Sequence, residues 1–285
     1  MFVIIGWVIA LACIFGVFIA HGGNMEVIVE ALPFEMITIF GAAIGAFLAN
    51  NQMKVVKATA AGLGRCFKGS KQSKARYMEL LALMYDILQK ARKEGLMSIE
   101  KDVDDPGTSA LFQKYPGVSS DHHLVDFITD YLRMMVSGNL NAHEIESLMD
   151  SEIDTHHQEE HAPVAALQRL AGALPAFGIV AAVLGVVNTM GSVGQPPPVL
   201  GAKIGSALVG TFLGILLSYA FAEPLAGLLE QKVEDGSKEY QCIKTTLLAS
   251  MQGYAPQVAI EFGRKVLFSG DRPSFSELEA HVKKK

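Results

Sequence analysis

The sequence predicts an all-α, polytopic membrane protein, with four transmembrane helices and a helical cytoplasmic domain. Three observations predict it. Half of the 285 residues are hydrophobic and only 19% are charged, below the roughly 25% usual in soluble domains; the mean hydropathy is +0.30. The basic residues are segregated: none precedes Lys54, none lies between Arg169 and Lys203, and 23 of the 24 fall in 54–169 and 232–285. Alternating β-type patterns are absent along the chain. With a formal net charge of −5, this distribution argues against a disordered, collagen-like or basic nucleic-acid-binding chain.

The first element, Phe2–Ala20, is uncharged and about as long as the roughly 20 apolar residues that cross a bilayer. It lacks the basic flank of a signal peptide and is long for one, so it reads as a retained span. A Gly- and Pro-marked turn is expected over 21–33, and a second uncharged stretch covers 36–53. Residues 54–76 then hold seven basic residues and no acid. The soluble elements follow. Residues 77–94 place Leu80, Leu81, Met84, Ile87, Leu88 and Ala91 on one helical face. Gly95 closes that helix, and Ser98 is placed to cap a short second one. A turn at Asp104 to Gly107 leads to helices expected at 121–136 and 141–158, with Ser137-Gly138-Asn139 as the break. Uncharged stretches near 170–190 and 204–222 supply the third and fourth spans, split by Gln195 to Pro198, which cannot continue a helix. A charged helix should continue past 222, with further helices at 243–251 and 257–267.

Topology follows from charge. The connections 21–35 and 191–202 contain no Lys or Arg, so they face outward and both termini face the cytoplasm. The expected organisation is 1–53 with spans at about 2–20 and 34–53, a cytoplasmic helical domain at 54–169, spans at about 170–191 and 201–222, and a cytoplasmic C-terminal segment at 223–285. The basic run after span two fits this topology and is also suited to anionic lipid. Small residues recur every four positions, as in Gly41, Gly45, Ala49 and in Gly210, Gly214, Ser218, which lets membrane helices approach closely.

The chemistry is sparse. Glu35, Lys203 and Glu223 are expected at span ends, leaving no ionisable group at mid-membrane, whereas a self-sufficient ion transporter usually keeps one. Pro175 and Pro224 remove the amide partners of Ala171 and Ala220 near the inner face. Phosphate-binding and nucleophile motifs are missing, and Cys13, Cys66 and Cys242 lack disulfide or zinc spacing. The cluster from Asp154 to His161, with His157 and His161 at i,i+4, lacks an HExxH frame and reads as a solvated helix face rather than a metal site. Neither an enzyme nor a cofactor is indicated.

Local strings carry a resemblance. Residues 174–187 (LPAFGIVAAVLGVV), 210–226 (GTFLGILLSYAFAEPLA) and 253–279 (GYAPQVAIEFGRKVLFSGDRPSFSELE), together with 77–102, 126–139 (DFITDYLRMMVSGN) and 144–156 (EIESLMDSEIDTH), resemble the MotA family of flagellar motor stators, nearer its proton-using branch. The resemblance implies a multi-pass inner-membrane protein with no cofactor. In the family, a ring of five such chains surrounds MotB helices that supply a membrane aspartate, and the ring pushes on the rotor protein FliG. It implies that Arg92 and Glu100 face the rotor, that Pro175 and Pro224 couple ion transit to movement, and that Thr211, with Tyr219 beside it on the same span, faces the ion route. The Pro-rich outer loop at Gln195 to Pro198 departs from the family pattern. Two other readings stay open. An ExbB- or TolQ-like energiser would have three spans and lack the Arg92 and Glu100 motifs; a self-contained channel would conduct alone.

Overall fold

The computed structural model describes residues 2–138 and 141–283; Asn139, at the expected break, lies outside them. The order is α1 (Phe2–Ala20), α2 (Met25–Asn50), α3 (Met53–Cys66), α4 (Lys74–Glu94), a 3₁₀ turn (Leu96–Ile99), α5 (Glu100–Asp104), α6 (Ala110–Gln113), α7 (Pro116–Ser119), α8 (His122–Ser137), α9 (Ala142–Met190), α10 (Pro197–Leu216), a π turn (Leu217–Ala222), α11 (Glu223–Met251), α12 (Pro256–Lys265) and α13 (Phe275–Lys283). No strand occurs among the described residues. The chain forms two units: one runs to Gly69 and includes Glu159–Gln231, the other holds Ser70–Gln158 and the chain from Lys232 onward. It passes between them within α9 and α11.

In the first unit, four helices are long and apolar enough to cross a membrane. The α1–α2 turn is short because Gly22 adopts φ +77°, so the Gly22 and Gly23 amides donate back to Ile19 and Phe18, each at 2.9 Å. This closes α1 as a left-handed glycine cap does. The Asn24 side chain then accepts the Glu26 amide at 2.9 Å and starts α2. Helix therefore replaces most of the turn expected over 21–33, and Pro33 sits inside it. Helix α3 arises from the basic run that sequence treated only as a flank. It buries Thr59, Gly62 and Cys66, and a β-carbon on Gly62 would lie 2.9 Å from Leu229. Helix α9 runs unbroken through Pro163 and Pro175, joining the expected 141–158 helix to the third apolar stretch. Its end and the start of α10 at Pro197 agree with the break expected at Gln195 to Pro198; proline fits the first helical position, where no amide bond is lost.

In the second unit, α4 supplies the core. Tyr77, Leu80, Leu83, Met84 and Ile87 are buried with Phe112, Phe127, Tyr131, Ile243 and Leu247. Ser73 caps α4 through the Arg76 amide, 3.3 Å, and Gly95 ends it at φ +90°. Ser98 does not cap the next helix. Its hydroxyl donates to the Gly95 carbonyl at 2.6 Å, and α5 starts after Ile99. Helix α11 is continuous to Met251, so no break precedes 243. It stops where Gly253 takes φ +88°, with the Gly253 amide on Ser250 O at 2.9 Å and the Tyr254 amide on Ala249 O at 3.2 Å.

Candidate functional site

The candidate residues fall into two groups, one in each unit. In the first unit they gather where α9 crosses α10. Gly178 and Gly214 face each other with no room for a side chain. A β-carbon on Gly178 would lie 2.7 Å from the Gly210 carbonyl oxygen, and one on Gly214 would lie 2.7 Å from the Leu174 carbonyl oxygen and 2.8 Å from the Gly178 α-carbon. One face of the crossing continues to Gly185, where a β-carbon would meet Ala207 at 2.7 Å. Small residues permit this approach where lipid supplies no hydrophobic drive. The Leu174 carbonyl belongs to the residue before Pro175, so the proline turn of α9 is pressed against the α10 backbone one turn beyond Thr211.

Thr211 is half-buried. Other helical threonines spend their hydroxyls on their own backbone: Thr38 on Phe34, Thr59 on Val55, Thr189 on Gly185 and Thr246 on Cys242, all at 2.8–2.9 Å. The Thr211 hydroxyl makes no hydrogen bond among the described residues. It remains available as both donor and acceptor.

Beyond it the helix widens. Leu217–Ala222 is a π turn, and the Glu223 amide donates to the Ser218 carbonyl, five residues back. The cause lies just ahead: Pro224 has no amide to give Ala220, and its ring crowds that carbonyl, so the ladder changes register before it. Such π insertions tend to occur at functional positions. Ser218 is buried in the turn, whereas Tyr219 is 68% exposed. Tyr219 and Pro224 thus share one irregular segment, while Pro175 and Thr211 share the crossing.

Glu35 departs from expectation. It lies inside α2, not at a span end. Its Oε2 is buried without a hydrogen-bond partner and sits 2.7 Å from where a β-carbon on Gly210 would be. Sequence missed it because α2 begins earlier than the uncharged stretch it contains.

In the second unit, Arg92 and Glu100 are both exposed, and neither forms an ion pair among the described residues. Their neighbours are paired: Lys90 with Asp102 at 2.7 Å, Arg133 with Asp130 at 2.7 Å and with Asp104 at 3.3 Å. Burial opposes ionisation of Asp102, but Lys90 and Ser109 outweigh it and hold its pKa below the ordinary carboxylate value. Below them, Arg76 of α4 anchors the frame. It is buried against Glu239 of α11, with Nη2 to Oε2 at 3.0 Å, and also reaches Asp121 at 2.8 Å and the Gly117 carbonyl. Burial again opposes ionisation of Asp121, and Lys71 and Arg76 overcome it, lowering its pKa. The histidine cluster is spent on local contacts. His157 meets Ser237 Oγ at 3.0 Å, His156 meets the Tyr240 hydroxyl at 3.2 Å, and His161 lies 3.6 Å from Glu230.

Comparison with known proteins covers nearly the whole chain. Residues 4–95 match the family model for the motility protein A N-terminal region, and residues 119–242 match that of the MotA/TolQ/ExbB proton channel family. The chain is 47% identical to motility protein A of Escherichia coli, across 99% of this chain and 95% of that protein. It is 36% identical to the chemotaxis protein LafT of Vibrio parahaemolyticus, across 96% of each. Among solved structures it resembles the MotAB stator complex of Bacillus subtilis, at TM-score 0.71 and 25% identity, covering 90% of this chain and 92% of that one. It shares its fold with C. jejuni MotAB, at TM-score 0.76 and 22% identity, covering 95% and 98%.

Proposed function

Because the chain belongs to the motility protein A family, we propose that it is a stator subunit of the bacterial flagellar motor, a non-enzymatic ring protein that forms an inner-membrane proton channel with MotB and turns ion flow into torque on FliG. Five copies surround the MotB helices, as the family implies. Residues 54–169 and 223–285 lie in the cytoplasm with both termini, a placement supported by the segregation of Lys and Arg. Four long apolar helices favour this reading over a three-span energiser.

One observation carries the mechanism: a membrane threonine with an unspent hydroxyl sits at a gap-free crossing between two proline-marked helices. MotB supplies the aspartate that takes the proton. When that carboxylate is ionised it accepts a hydrogen bond from Thr211; when protonated it donates one. The charged form is costly away from water, so each protonation changes which position of the ring best accommodates the acid. The crossing has no slack, so a shift of α10 at Thr211 moves the backbone beside Pro175. The π turn ahead of Pro224 gives α10 a weak point at which to pivot, and Tyr219 is exposed in that turn.

Arg92 and Glu100 are the rotor-facing charges. Exposed and unpaired, they suit a contact that forms and breaks, since such charges steer encounter and set register more than they add affinity. Charge reversal, Arg92→Glu or Glu100→Lys, is expected to reduce torque measured on tethered cells while the stator still assembles with MotB. Failure to assemble would contradict the rotor role.

A further inference from the structure

The charge at Arg92 does not stand alone on its surface. Beside it lies an open groove of about 530 Å³. Its floor is the apolar core itself: Leu88, Ile99 and Leu132 are each at most 3% exposed. Its rim carries Leu96 and Tyr254, 43% and 45% exposed, and Arg92 is the only charged residue in the lining among the described residues. Two of the bounding helices stop here on left-handed glycines, α4 at Gly95 and α11 at Gly253, which turns the backbone aside and leaves the floor uncovered. The apolar surface continues past the rim: Met97 is 65% exposed, Val258 42% and Phe262 40%, and Phe262 packs its ring 5.1 Å from that of Tyr254. A contiguous exposed apolar patch on a soluble surface marks an interaction site.

We propose that this groove is a socket for the rotor partner, taking an apolar side chain from a helix that presents a carboxylate to Arg92. The proposal rests on the rotor-facing reading of Arg92 and adds to it the element that bears load. Exposed ion pairs alone contribute little and are screened by salt, whereas an apolar anchor in a desolvated pocket beside an arginine is the composition of an interface hot spot. The single positive charge in the lining selects an acid on the incoming helix. Glu100, one residue beyond the lining residue Ile99, selects against a second acid further along and so fixes the register.

The test uses complete stators in motile cells. Ala91→Phe fills the groove, Leu96→Gln makes its rim polar, and Tyr254→Ala removes its wall; none alters Arg92. Stall torque and salt dependence are read alongside Arg92→Glu, with membrane abundance of each stator as the control. The expected result is a several-fold loss of torque in the groove variants with normal abundance, and steeper salt dependence of what remains. If Ala91→Phe fails to accumulate, the two rim variants, at exposed positions, decide the matter. Full torque in those variants while Arg92→Glu is crippled would overturn the socket and leave the rotor contact standing. Full torque in all of them, Arg92→Glu included, would overturn both.

Discussion

Replacing Gly214 by alanine tests whether the closeness of α9 and α10 is itself part of the mechanism. The new β-carbon would sit 2.7 Å from the Leu174 oxygen, 2.8 Å from the Gly178 α-carbon and 3.1 Å from the Gly178 nitrogen, against ordinary contact from 3.4 Å. The shortfall against the oxygen is 3.4 − 2.7 = 0.7 Å. Every obstructing atom is backbone, so no side chain can swing away and α9 must retreat. Overpacking of this kind costs about 1–3 kcal/mol, of which better helix propensity returns up to about 1 kcal/mol. The expected net loss is therefore up to about 2 kcal/mol. It should appear as a lower melting temperature of the purified MotB complex and as reduced torque, because the displaced atoms adjoin Pro175. Gly172→Ala is the control, since a β-carbon there meets nothing within 4 Å. Wild-type stability and torque in Gly214→Ala, or equal damage from Gly172→Ala, would show that the close crossing has no such role.

Pro224→Ala restores an amide able to bond Ala220, so the π turn should relax to α-helix and rotate Tyr219 by about 100°; a structure of the variant checks the register, and torque should fall with assembly retained. Glu35→Gln should leave proton flux and swimming in place, because the proposed function assigns the carrier acid to MotB; abolished flux would make Glu35 the carrier. Glu239→Ala takes away the more deeply buried of Arg76's two acidic partners, leaving Asp121 and the Gly117 carbonyl, and should destabilise the second unit by up to about 3–5 kcal/mol in denaturant titrations. Acid should also unfold that unit. Asp102 and Asp121 have folded pKa values below the ordinary carboxylate range, and Glu277, bonded to Lys74 and Ser274, falls to about 2. Their stabilisation is present above the unfolded values, 3.8 for the aspartates and 4.5 for Glu277, and is lost as pH falls through the lowered folded values, about 2 for Glu277. Lys74→Ala should shift the acid limb of an unfolding curve upward.

The all-helical class and the apolar stretches were legible because they rest on composition and charge segregation, which are properties of whole segments. Gly95 was legible as a helix end, because the residue type itself determines the backbone. Continuity was not. Residues 21–33 read as a turn, and the helix at 141–158 read as separate from the span near 170, yet α2 runs through Pro33 and α9 through Pro163; each proline removes only one bond from a helix held by many others. The π turn could be sensed only through Pro224, since the string LSYAFA has nothing to distinguish π from α. Glu35 was misplaced for a related reason, because the helix start was set by the Asn24 cap and not by the edge of the uncharged stretch. Thr211 is the instructive case: residue type alone favours a bond back to its own helix, and only coordinates reveal the hydroxyl unspent. The groove beside Arg92 was invisible to any periodicity, being assembled from helix ends far apart in sequence.

In the proposed function this chain walls the proton route while MotB lends the acid. Proton flux into liposomes holding the purified chain, with and without MotB, tests it most directly. Flux is expected only when both are present, with none from the chain alone. Sustained flux from the chain alone, lost on Glu35→Gln, would contradict it.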